Sequence, residues 1–340
     1  MKNLACFVGS VFILLLISCD NSVSTADDWQ FIPVVYALLD VGESAQYIRL
    51  EKAFLDPDRS GLVLAQIPDS LFFGDASVQL REINDRGRIE NTLDFFLIDA
   101  SLEGLEQEEG LFSSTPNYLY KSTIPLNGRS TYDLQIESFD TFEPITSSTA
   151  AIGNFQVFSP TDDGILTFEA GEESLILWEV EPDAVIFDVT LRITYREYQI
   201  SNPNDFETKV IPWTLARDFK PNNVGGRLEI DGLQFLQRLA NSIEIDPEVC
   251  REILKFDLEI YAGGEDLRLF MEAFFANQNG ITGSIPFPRY TNLSSGIGLF
   301  STRFKKEVRN IRLSASGKEQ LNTHPLTENL GFPGLGDDCL

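Results

Sequence analysis

Leu126-Asn127-Gly128-Arg129-Ser130-Thr131-Tyr132-Asp133-Leu134-Gln135-Ile136 is the stretch that decides the fold of this 340-residue chain. Asn127 to Ser130 has the composition of a turn. After it, Tyr132, Leu134 and Ile136 fall on one side of an extended backbone, and Asp133 and Gln135 fall on the other. That is the period of a half-buried strand. The pattern recurs upstream. Ile48 and Leu50 alternate with Arg49 and Glu51 in 46–52, and Ser77 to Ile83 repeats the alternation. Asn84-Asp85-Arg86-Gly87-Arg88 reads as a hairpin turn, with a return strand from Thr92 to Ile98. Val34 to Leu39 is a continuous apolar run. Ala100 to Gly110, rich in Glu and Gln, reads as an exposed acidic loop.

The spacing from Leu126 to Tyr132 resembles the tyrosine corner of immunoglobulin-like and fibronectin type III-like sandwiches, where the Tyr hydroxyl bonds to nearby backbone. A plain amphipathic Tyr at a strand start is the alternative. Downstream, a Trp-bearing strand (Ser174 to Val180), a Pro182-Asp183 turn and a long alternating strand (Val185 to Tyr195) resemble strands B and C of a fibronectin type III-like module. Trp178 then belongs to the core. The fold class expected is mainly β, with two antiparallel sandwiches. The expected boundaries are 30–150 and 151–316, with a linker around Gly153 to Gly164 and an irregular tail at 317–340. Helices are expected within the second domain at about 231–243 and 266–278. Asp231 is an acceptor side chain in capping position, and Leu233, Leu236, Leu239, Ala240 and Ile243 recur at helical spacing. The second helix presents Leu267, Phe270, Met271, Phe274 and Phe275. The final strand is expected in two pieces, Gly296 to Ser301 and Val308 to Leu313.

The 26 Phe residues, against 2 Met, suit sheet cores. The net charge of −26 excludes nucleic acid as a partner, because nucleic acid demands basic stripes. A charged surface of this sign favours solubility, a divalent cation or a neutral ligand.

Residues 1–19 say where the chain belongs. Lys2 is followed by an apolar run from Leu4 to Ile17, too short and poorly flanked for a spanning helix. It ends in Leu16-Ile17-Ser18-Cys19, which resembles the bacterial lipobox. The resemblance implies cleavage before Cys19, a diacylglycerol on its sulfur and membrane attachment through the lipid. An ordinary secretory signal with a chance cysteine is the alternative. Residues 20–29 are polar and acidic and read as a tether. Asp27-Asp28 loosely resembles a surface-export signal, so the expected location is the outer membrane, cell-surface facing, with a periplasm-facing anchor as the alternative. Cys250 and Cys339 remain in the exported chain, and an even pair there invites a disulfide. The bridge would be worth on the order of 4 kcal/mol in the chain-entropy model. Two free thiols are the alternative.

Catalytic chemistry is sparse. His324 is the one histidine, so zinc and Ser-His-Asp arrangements lack their base or ligands. A glycan hydrolase needs only two carboxylates, and the sequence cannot choose a pair among 52 acidic residues. The expectation is no catalytic residue and no required cofactor. Asp56, Asp58 and Ser60 match the opening of a calcium loop (Asp56-Pro57-Asp58-Arg59-Ser60-Gly61). However, Ile67 stands at the twelfth position, where a bidentate Glu belongs. A Ca2+ site and a plain turn between strands both remain readings of it. Phe287, Arg289 and Tyr290, in a Pro-bracketed loop, are candidates for lining a ligand groove. Packing of the two aromatics under the loop is the alternative.

The lipobox, Pro33 to Asp40, Tyr47-Ile48-Arg49-Leu50, and Tyr290 to Leu293 running into Gly296 to Phe300 together resemble Bacteroidota outer-membrane lipoprotein families kept as domains of unknown function. The resemblance implies a lipid-anchored, non-catalytic binding or scaffold protein. It also implies a partner in the envelope, such as a TonB-dependent transporter. A carboxylate-dependent glycan hydrolase and an envelope-assembly partner are the alternatives.

Overall fold

The computed structural model describes residues 30–335, apart from 56–62, 64, 109, 111–112, 139–142, 222–224 and 279–289. The chain forms two antiparallel sandwiches of the same topology. In the first, β1 (Gln30–Asp40), β2 (Gln46–Leu55) and β5 (Tyr118–Ser122) make one layer. The other layer is β4 (Ile89–Asp99), β3 (Ser77–Ile83), β6 (Thr131–Glu137) and β7 (Ile145–Ala150). Strand β4 crosses between the layers, with Ile89 to Phe95 on β3 and Phe96 to Asp99 on β5. This is the Greek-key order of immunoglobulin-type sandwiches.

In the second sandwich, β8 (Val157–Ser159), β10 (Glu173–Trp178) and β13 (Gly226–Asp231) form a three-stranded sheet. It faces β12 (Phe206–Phe219), β11 (Ile186–Gln199), β14 (Val249–Gly263) and β15 (Ile297–Leu313). Short β9 (Ile165–Leu166) pairs with the end of β15. Three helices are added: α1 (Gly232–Ser242), α2 (Glu265–Gln278) and α3 (Ala315–Thr323). Asp231 caps α1 by accepting from the Leu233 N–H at 2.8 Å, and Phe235, Leu236 and Leu239 carry its buried face. In the core Phe168 stacks on Phe235 at 4.4 Å, edge-on to Phe256, and Trp178 packs on Phe187. Trp178 is fully buried.

The tyrosine corner is formed. The Asn127 N–H donates to the Tyr132 hydroxyl at 2.7 Å, Leu126 is buried beside it, and Tyr132 lies in the first core. Burial pushes the Tyr132 phenol up to about 12, against the opposing pull of the Asn127 hydrogen bond.

The last strand differs from its reading. It is one continuous strand, and it serves both sandwiches. Val34 to Asp40 of β1 pairs in parallel with Ile297 to Arg303, whereas Gly263 to Phe256 of β14 pairs antiparallel with Arg303 to Ile311. Phe300 sits in the first core, and Phe304, Val308 and Ile311 sit in the second. The early half of β15 therefore enters between β1 and β7. On the β7 side, the Ser294 N–H donates to Thr146 O at 2.8 Å and Thr302 Oγ1 donates to Ala150 O at 2.6 Å. The Asn292 side chain holds the Phe300 backbone at both its N–H and its carbonyl. The backbones approach so closely that a Cβ on Gly298 would lie 1.8 Å from Val35 O, and Gly298 has φ +129°.

The tail also differs. Residues 317–340 read as irregular because polar and small residues dominate them. The Ser314 hydroxyl nonetheless caps α3 at the Gly317 N–H, and Leu321, Leu330 and Phe332 are buried in the second core. Arg251, nearly fully buried, ion-pairs with Glu197 at 3.1 Å and donates to Leu330 O at 2.7 Å, tying the tail to β14. Within the stretch read as a linker, Phe155 and Val157 are buried in the second core.

Three substitutions test this geometry. Phe300→Ala should lower the unfolding free energy by about 3–5 kcal/mol, and Gly298→Ala by about 2 kcal/mol or more. Urea titration checks both, and a Gly298→Ala chain of unchanged stability would contradict the shared-strand geometry. Tyr132→Phe should cost about 1 kcal/mol at neutral pH. The Tyr132 phenol is raised in the folded state from 10.0 to about 12. Its contribution is therefore complete below pH ~10 and is lost as pH rises toward ~12. The variant should lose that part of the alkaline stability slope, measured by denaturation at stepped pH.

Candidate functional site

Both cores lie on one side of the continuous sheet, because Phe300 and Phe304 point to the same face of β15. The other face carries the candidate site. On it, β1 exposes Tyr36 and Leu38, β14 contributes Tyr261, and β15 contributes Arg303 and Lys305. Two insertions cover parts of this face.

The first is the segment after β4. It is largely exposed, as its Glu- and Gln-rich sequence reads, but its start is anchored. Asp99 caps a 3-10 turn over Ala100–Glu103 by accepting from the Ser101 N–H and hydroxyl. Glu103 then lies on the sheet, ion-paired with Lys121 at 2.6 Å and accepting from the Tyr47 hydroxyl at 3.3 Å. The Lys121 hydrogen bond holds the Glu103 carboxyl below its ordinary range. Arg49 reaches Glu51, Asn117 and Gln107.

The second is α2. Glu265 and Asp266 occupy its first turn, where carboxylates suit the helix dipole. Arg268 bridges Glu265 and Glu272, and Lys220 reaches Glu272 at 2.9 Å. The helix lies across β15 and β1, with Phe270 edge-on to Tyr36 at 6.1 Å. Beneath it, Ser301 Oγ is buried and, among the described residues, has no hydrogen-bond partner. Beside the helix is a cavity of about 200 Å³ lined by Leu38, Ile186, Tyr261, Leu267, Met271, Asp188 and Arg303. Arg303 pairs with Asp40 at 3.3 Å, and its guanidinium lies 5.8 Å from the Tyr261 ring centre. Burial pulls the Lys305 ammonium down, but its bonds to Glu307 and Glu259 outweigh this and hold it above its ordinary value. The cavity can take an apolar group, with the Arg303 guanidinium, the Asp188 carboxylate and the Tyr261 phenol in its lining. A second cavity, about 330 Å³, lies where the tail meets Leu254, Arg312 and Lys318.

Of the residues singled out from sequence, Tyr290 is at this site. Its hydroxyl donates to Asp266 on α2, and burial, then Asp266, pushes its phenol well above the ordinary value. Phe287 and Arg289 lie outside the described residues, as do Asp56, Asp58, Ser60, Cys19 and Cys339. Cys250 is buried on β14 and disulfide-bonded. Among the described residues, no group of three or more His, Cys, Asp or Glu side chains is placed to hold a metal ion. Glu181 is the described carboxyl pushed upward, by partial burial and then by Glu179, and it lines neither cavity.

Sequence reasoning missed Tyr36, Leu38, Tyr261 and Arg303. One signal was present. In β1 the outward positions Ile32, Tyr36 and Leu38 are as apolar as the inward Val35, Ala37 and Leu39. A strand apolar on both faces signals a contact on its outer face as well, here with Leu267 and Phe270 of α2.

No family model matches the chain, and no curated protein matches it. Among solved structures, trypsin-activated alpha-2-macroglobulin from Escherichia coli is similar to part of it, at 12% identity and a TM-score of 0.18. That likeness covers 68% of this chain, which spans 14% of the length of that protein.

Tyr290→Phe removes a phenol from a carboxylate and should loosen the first turns of α2 by about 1–2 kcal/mol. Amide exchange across 265–275 should quicken while β14 stays protected. Equal protection in both chains would mean that Tyr290 does not hold the helix.

Proposed function

We propose that this chain is a lipid-anchored, non-catalytic binding or scaffold protein of the bacterial cell envelope. It sits in the outer membrane through Cys19, faces the cell surface and works beside another envelope protein such as a TonB-dependent transporter. The observation that carries the reading is the Leu16-Ile17-Ser18-Cys19 motif at the end of a short apolar leader. Several acyl chains on Cys19, at ~0.8 kcal/mol per buried CH2, give stable attachment. The two-sandwich body and its apolar, aromatic face at the joint are the features that suit it to docking.

Cys19→Ala should move the protein from the membrane fraction to the soluble one. Unchanged fractionation sinks the lipid anchor. Capture of the lipidated protein from its native membrane should bring down a transporter in stoichiometric amount, and capture of the protein alone would remove the accessory role.

A further inference from the structure

We infer that the face carrying α2 and the outward side of β1 rests on the lipid bilayer that holds the anchor. The inference builds on the Cys19 reading and adds an orientation to it. Five large apolar side chains are exposed there: Ile32 (50%), Tyr36 (40%) and Leu38 (36%) on β1, and Phe274 (43%) and Phe275 (46%) on α2. Their arrangement is directional. Leu267 shares a cavity with Leu38, and Phe270 meets Tyr36. The helix thus runs back down β1, and one further turn of about 5.4 Å carries Phe274 toward the Ile32 end. That end is where the chain enters the fold at Gln30.

Residues 20–29 can span at most about 35 Å when fully extended. The anchor therefore keeps this end of the body within about 35 Å of the bilayer surface. The chemistry also fits. Aromatic and aliphatic side chains suit the interfacial layer. The chain carries a charge of −26, and several carboxylates of this face are held in ion pairs. Arg49 pairs with Glu51, Arg268 with Glu265 and Glu272, Arg303 with Asp40, and Lys305 with Glu259.

The test is depth-dependent quenching. The full lipidated chain is reconstituted in phosphatidylcholine vesicles whose acyl chains carry bromine, with one environment-sensitive fluorophore at Phe274→Cys or at Ile245→Cys. Ile245 is 69% exposed and lies on the turn after α1. Quenching at 274 should exceed that at 245 by at least about threefold, the mark of a group lying in the interface. Equal quenching at the two positions overturns the inference. So does a vesicle-bound dimer that shields position 274, because a second copy would then be the occupant. The measurement is repeated on the chain from residue 20, held to nickel-chelating lipid by an N-terminal histidine tag. If Cys19 carries no lipid, the anchor reading fails, but this second arm still decides whether the face meets the bilayer.

Discussion

The structure depends on the sharing of β15 between two cores. A seventeen-residue strand gives its first half to one sandwich, in parallel with β1, and its second half to the other, antiparallel with β14. An immunoglobulin-type sandwich has an open seam between its first and last strands. Here β1 and β7 do not close on each other. Residues 292–302 fill the gap, through backbone pairing on the β1 side and through Ser294, Ser147 and Thr302 contacts on the β7 side. Without that strand, Ala37 and Leu39 would lose Phe300 from their core, and β1 would present an unpaired edge. The first sandwich is thus complete only when the end of the second is in place.

This closure is costly in chain entropy. The pairing of β1 with β15 joins residues more than 260 positions apart, so it closes one of the longest loops in the fold. The same arrangement makes the joint stiff, because a continuous sheet has no hinge where its strands are hydrogen-bonded. Gly296 and Gly298 are the local adjustments that allow it, since any side chain at either would strike the carbonyl of Pro33 or Val35.

That division explains what could be read from the chain. The sandwich strands were legible because each buries one face, and period-two alternation at Tyr132, Leu134 and Ile136 reports that directly. The helix at 232–242 was legible from its cap and the spacing of Leu233, Leu236 and Leu239. The shared strand was not. Phe300 and Phe304 look alike in sequence and differ only in which core they enter, a tertiary fact with no local pattern. Leu330 and Phe332 were hidden because isolated apolar anchors in a Gly- and Pro-rich stretch carry no periodicity. At the site, Tyr290 was named for its residue type and its loop. Its partner, Asp266, could not be named, because the bond between them depends on where α2 lies.

The position of both cores on one side of the sheet has a functional corollary. Strands β13, β10 and β8 pack on the side opposite α2, and α1 follows β13 on that same side. If the α2 face meets the bilayer, the small sheet and α1 point away from it, and the stiff joint fixes that relation for both sandwiches. Any partner that the body recognises would then find the outer surface of β13, β10 and β8 presented to it. A flexible pair of domains could not hold the α2 side apart from the side of β13, β10 and β8, whereas a single sheet running through both domains enforces it.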